Sequence, residues 1–169
     1  SSVLGISSTM HRKECIGQNN FVDIIRVAVG DDFRVDIETH RHQHRFARLQ
    51  CLLDKAEAIY KEMILEGSTD HVIYLNLAML CGERGSNIEM IEYLKTAIQI
   101  QPHYPQAYNN LGIALKRKGD LEEAIFYFKK AINLNPSYSK ALNNLANALK
   151  DKKDIKGAIS YYKQSIATN

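Results

Sequence analysis

The chain has 169 residues, of which 45% are hydrophobic and 24% charged, and its formal net charge is +3. These proportions fit a soluble protein with room for one compact domain or a short repeat array. No apolar run approaches the roughly 20 residues of a membrane-spanning helix, and no basic-then-apolar signal segment opens the chain, which begins with Ser1 rather than Met, as a processed or excised segment would.

Cys15, Cys51 and Cys81 are odd in number, widely spaced and without a CxxC pair. That argues against a disulfide framework or zinc site and for a reducing, cytoplasmic compartment. The charge is uneven. Residues 1–104 hold 11 Lys and Arg against 14 Asp and Glu, net −3, whereas residues 105–169 hold 11 against 5, net +6. Solvated lysines on helix faces are the plainer account; a basic C-terminal half that favours an acidic or phosphorylated partner is the sharper one.

Residues 1–36 form a non-repeat N-terminal segment, with residues 1–19 as a flexible or weakly docked leader. Phe33, Val35 and Ile37 alternate with charges, as in a hairpin strand. Phe21, Ile24, Ile25 and Ala28 instead share a helical face between Asn20 and Gly30, and a helix is preferred because a lone two-stranded ribbon is marginal in water. Residues 37–70 read as a degenerate two-helix unit. A helix is expected over about 53–66, with Ala56, Tyr60 and Met63 on its apolar side, and another over about 41–50, where the stripe is polar.

From residue 71 onward a spacing of 34 governs the chain. Asn76, Asn110 and Asn144 recur at that interval, each followed by a leucine, and so do Pro102 and Pro136. This is the length of a helix–turn–helix unit that cannot bury its apolar face alone and must stack on its neighbours. Units begin at 71, 105 and 139. Position 4 is Tyr74, Tyr108 or Leu142; position 7 is Leu77, Leu111 or Leu145; position 8 is Ala78, Gly112 or Ala146; position 11 is Cys81, Leu115 or Leu149. These make one apolar stripe. Position 20 (Met90, Ala124, Ala158), position 24 (Leu94, Phe128, Tyr162) and position 27 (Ala97, Ala131, Ser165) make the facing stripe of a second helix. Small residues at 8 and 20 allow close approach of the two backbones. Gly119 suits a left-handed helix end, Asp120 and Asp154 are expected to cap the second helices, and the prolines stop them.

This pattern resembles the tetratricopeptide repeat. Residues 105–138 match the family consensus at nearly every signature position, residues 139–169 follow it but break off at position 31, and residues 71–104 fit with Met90 where alanine is usual. The resemblance implies an all-α, right-handed α-solenoid of three repeats (71–104, 105–138 and 139–169, the last truncated) that binds a protein or peptide in its groove without catalysis or cofactor. On the last helix Ile155, Ala158, Ile159, Tyr162 and Ile166 share one face with no following helix to cover it. Continuation of the natural protein, or packing against another chain, including self-association, would cover it.

The position-6 asparagines are the best functional clue. A side-chain amide both donates and accepts, and so pairs with a peptide backbone of any sequence. Tandem asparagines there resemble the peptide-holding ladder in the repeat region of O-linked N-acetylglucosamine transferases. The resemblance makes Asn76, Asn110 and Asn144 candidate peptide contacts, with Asn109, Asn143 and Asn147 nearby, and suggests the alternative of a substrate-recognition arm of such an enzyme. Asparagines that simply bond neighbouring helices are the competing account. Lys116, Arg117, Lys140 and Lys150 fall near the groove and would steer an acidic peptide. Co-chaperone repeats that grip acidic tails use a five-residue clamp; Asn110 and Lys140 fit it, but Leu75, Met79 and Asn144 do not, which argues against that role.

His40, His42 and His44 could share one face of a strand, and His40 and His44 one face of a helix, but no third helical ligand or HExxH arrangement accompanies them; a solvated polar segment is the better reading. No nucleophile elbow, P-loop or dinucleotide fingerprint occurs, and no aromatic–basic platform suggests nucleic acid.

Overall fold

The computed structural model describes residues 42–168, which fall into two units that meet between Gly67 and Ser68. The segment 1–36 and His40 lie outside the described residues; His42 and His44 lie in the first turn of a helix.

In the first unit, α1 runs unbroken over His42–Leu65. The expected pair of helices, over 41–50 and 53–66, is therefore one. The reason is local: residues 50–54 hold no glycine, proline or asparagine to break the helix, and Gln50 Nε2 donates to Asp54 Oδ1 at 3.0 Å across one turn. Glu57 and Lys61 add an i,i+4 ion pair at 2.6 Å. Leu53, Ala56 and Tyr60 are buried on one stripe. Gly67, at φ +89°, closes the unit.

The second unit contains α2 (His71–Glu83), α3 (Asn87–Ile100), α4 (Pro105–Lys118), α5 (Leu121–Leu134), α6 (Ser139–Asp151) and α7 (Ile155–Ala167). Each helix packs on the next, and α4 also touches α6, which is the connectivity of a solenoid. The described residues contain no strand, and none of their helices is long and apolar enough to cross a membrane.

All three hairpin turns use one device. Gly85 (φ +77°), Gly119 (φ +102°) and Lys153 (φ +69°), all at repeat position 15, adopt the left-handed conformation. The residue after each donates its N–H back five residues, Ser86 to Cys81, Asp120 to Leu115 and Asp154 to Leu149, each at 2.9 Å. Gly85, Gly119 and Lys153 themselves donate to Gly82, Lys116 and Lys150. This pair of bonds is the Schellman motif, which satisfies carbonyls that a helix end leaves without partners.

The caps that follow differ. Asp154 Oδ1 accepts from Gly157 N at 2.9 Å, as expected. Asp120 does not cap: its carboxylate lies 2.7 Å from Lys118 Nζ, and that ion pair takes the oxygen away from the helix amides. Asp70 Oδ1 supplies an unforeseen cap to α2, accepting from Val72 N at 2.9 Å. Pro105 occupies the first turn of α4, where its missing N–H costs nothing.

Inside the stack, positions 7, 8, 11, 20 and 27 are buried in all three repeats. Position 24 varies with position 8. Gly112 faces Phe128 so closely that a Cβ on it would lie 2.6 Å from the ring, while alanine at 78 and 146 accompanies Leu94 and Tyr162. Tyr162 is half-buried, and its hydroxyl donates to Asn147 Oδ1 at 2.5 Å.

Candidate functional site

Position 6 precedes the buried leucine of each first helix, so its side chain leaves the helix at the border of the core. Position 5 lies one residue, about 100° of helix rotation, earlier. The two positions meet across repeats. Asn144 Nδ2 on α6 donates to Asn109 Oδ1 on α4 at 2.9 Å, and Asn109 Nδ2 passes the chain on to Asn110 Oδ1 at 3.5 Å. Asn109 is buried and Asn110 and Asn144 are half-buried. The relay uses one donor and one acceptor of Asn109. Among the described residues it leaves Asn110 Nδ2 as a donor and Asn144 Oδ1 as an acceptor with no hydrogen bond, on neighbouring helices.

The other candidate amides lie elsewhere. Asn76, on α2, is buried at 7% exposure. Asn147 is held by Tyr162 within its own repeat, and Asn143 is exposed and makes no hydrogen bond among the described residues. Gln106, absent from the sequence-derived set, carries a buried Oε1 with no partner. It occupies position 2 of its repeat, as Lys140 does in the next, and that shared position is the signal that could have found it.

The four basic candidates divide in two. Lys116 Nζ pairs with Asp151 at 2.7 Å, and Arg117 Nη1 donates to the Gly82 carbonyl at 3.4 Å. Both therefore join one repeat to its neighbour. The Lys116 ammonium holds the Asp151 carboxyl below the usual carboxylate range. Lys140 and Lys150 are exposed and form no ion pair among the described residues. Of the four, these two ammonium groups face solvent.

Aromatic contacts lie within the repeats. His71 meets Tyr104 edge to face at 5.0 Å, Tyr108 stacks on Tyr127 at 6.3 Å, and Lys130 Nζ lies 4.9 Å from the centre of the Phe126 ring. Burial raises the Tyr104 and Tyr138 hydroxyls above 10.0, with Asp70 adding to the first and Tyr104 to the second. Cys81 is buried with its thiol 3.5 Å from Glu89 Oε2. Among the described residues no group of three His, Cys, Asp or Glu is placed to hold a metal. The arrangement offers neutral amide pairing and scattered positive charge, which is the chemistry of recognition.

Comparison with known proteins follows the same lines. Tetratricopeptide repeat family models match residues 71–104, 105–138 and 127–160, together more than half of the chain. No curated protein sequence matches it. Among solved structures, a crystal structure of MamA superposes with a TM-score of 0.66 at 23% identity, over 69% of this chain and 68% of that one. The crystal structure of YrrB, a TPR protein with an unusual peptide-binding site, gives 0.64 at 16% identity, over 72% of this chain and 62% of that one. At such identities the likeness is one of fold. With the 34-residue period, the shared turn and the stacked hairpins accounted for by these matches, the chain belongs to the tetratricopeptide repeat family.

Proposed function

We propose that this protein-interaction module holds a peptide segment of its partner along the first helices of the stack, across Asn110 and Asn144. The observation that carries this reading is the complementary pair left by the amide relay: a donor on Asn110 and an acceptor on Asn144, on adjacent helices. A peptide group presents the matching carbonyl and N–H whatever its side chains. Asn109 sets the geometry by holding both neighbours. Lys140 and Lys150 would orient an acidic segment, with more effect on association rate than on affinity. Of the other amides, exposed Asn143 adds to this surface, whereas Asn76 is buried and Asn147 is held by Tyr162.

The test is a peptide array probed with the protein and with Asn110→Ala plus Asn144→Ala. Two neutral hydrogen bonds are worth about 1–3 kcal/mol together, so hits should weaken by roughly five- to a hundredfold or a little more. Asn110→Ala alone leaves the Asn144–Asn109 bond in place and separates lost contact from lost stacking. Hits that survive the double substitution unchanged would exclude this edge.

A further inference from the structure

Second helices that are followed by another repeat show which of their positions stay open. Positions 21 and 28 close: Ile91 and Ile125 are buried, and Ile98 and Ile132 pack against the core. Positions 22 and 25 do not, since Glu92, Lys95, Phe126 and Lys129 are exposed on α3 and α5 with the next repeat in place. Stacking of further repeats therefore leaves this face uncovered.

At position 22 the other repeats carry Glu92 and Ser160, but α5 carries Phe126, 52% exposed. The ring is held although it is open. It meets Tyr127 edge to face at 5.2 Å, and Lys130 Nζ lies 4.9 Å from its centre and 5.7 Å from that of Tyr108. Lys129, one turn from Phe126, makes no hydrogen bond or ion pair among the described residues. The acids at the start of α5 are directed elsewhere: Glu122 pairs with Lys152 at 2.7 Å, and Glu123 acts on Lys118. An apolar ring thus sits beside two ammonium groups that no carboxylate pairs with.

The complement lies at the end of α1. Counted in the same period, Leu65 falls at position 29, where the repeats carry Gln99, Asn133 and Ala167. At 87% it is the most exposed large apolar side chain among the described residues. Glu62 and Glu66 flank it within one turn, in which Glu66 N donates to Glu62 O at 2.9 Å. Neither carboxylate makes a hydrogen bond or ion pair among the described residues. The neighbouring Lys61 is held by Glu57.

We infer that the end of α1 in one copy of this chain docks on the α5 face of a second copy, Leu65 against the Phe126 ring and Glu62 and Glu66 on Lys129 and Lys130. Each patch supplies what the other lacks. Apolar burial gives attraction, and the opposite charges set the register and disfavour a patch meeting its own kind. Lys130 is already ordered by two rings, so it loses less freedom on meeting a carboxylate. Because each patch meets a different one, every added copy leaves a patch open, and association proceeds stepwise until it closes. A contact of this size belongs with transient interfaces.

The measurement is sedimentation equilibrium of the 169-residue chain across a dilution series reaching millimolar protein. A mass that rises with concentration and falls with added salt is expected. Leu65→Asp and Phe126→Asp should each weaken association roughly tenfold or more; both residues are exposed, so thermal melting should change little. Each variant keeps one patch intact, so their equimolar mixture should form one-to-one pairs and nothing larger. Lys129→Glu with Lys130→Glu should also abolish association, and adding Glu62→Lys with Glu66→Lys should restore it. Asn110→Ala with Asn144→Ala should associate as the parent does, which separates this contact from the peptide edge proposed above. A chain that stays monomeric at every concentration overturns the inference. So does association that both aspartate variants leave unchanged, or a mixture that pairs no better than either variant alone. Association lost in Ile159→Asp but kept in Leu65→Asp assigns the contact to α7 and overturns it as well.

Discussion

At position 15 three residues hold one left-handed turn, and the third of them is Lys153. A side chain in that conformation costs about 1–2 kcal/mol. Lys153→Gly removes this cost and returns part of it through the greater freedom of the unfolded chain, roughly 0.5–1 kcal/mol. A net gain of about 0.5–1 kcal/mol in urea unfolding is expected; a loss would mean that the lysine contributes a contact beyond its backbone. The tyrosines supply a pH test. Burial raises Tyr104 and Tyr138 above 10.0, so the unfolded chain releases these protons first. Stability is therefore complete below about pH 10 and falls as pH rises through the raised values. Tyr104→Phe should flatten that decline, as followed by helicity against pH. The turn glycines were legible in the sequence, but Lys153 as their equivalent was legible only by position. The failure of Asp120 to cap was not legible, because a neighbouring lysine competes for its oxygen in space.

Within each hairpin, positions 8 and 24 trade volume. Gly112 admits Phe128 with no room for a methyl group. Gly112→Ala should gain about 1 kcal/mol of helix propensity but lose about 1–3 kcal/mol to overpacking, for a net loss. Adding Phe128→Leu, the residue that accompanies alanine in the first repeat, should recover most of it in a double-mutant cycle. The first unit shows the limit of periodic reading. Its stripe of Leu53, Ala56 and Tyr60 was visible in part, yet the two expected helices are one, since no residue near 51 interrupts the backbone hydrogen bonds. The asparagine interval placed Asn110 and Asn144 at equivalent positions of consecutive repeats. The actual bond, from position 6 to position 5 of the preceding repeat, depends on how two helices lie side by side.

Across the whole second unit, stability is a sum over neighbours, as expected for a stack in which each helix touches chiefly those beside it. α4 and α5 have packed helices on both sides, whereas α7 has Ile155, Ile159 and Ile166 open. Amide hydrogen exchange should be slowest in α4 and α5 and fastest in α7. Uniform protection from α2 to α7 would show a unit that opens all at once. The basic excess of residues 105–169 has a divided use at this scale: Lys116, Arg117 and Lys152 tie repeats together, while Lys140, Lys150 and Lys156 face outward.

The sequence by itself determined the repeat length, the helical class, the buried stripes and the left-handed turn, because each depends on residues a few places apart along one helix or hairpin. Only the tertiary structure decided which amide of the Asn109, Asn110 and Asn144 set meets which, which lysines are already paired, and that position 21 is buried on α5 but open on α7. Those outcomes depend on what the neighbouring helix presents. Adjacent helices are joined by packing across a gap that no local spacing records.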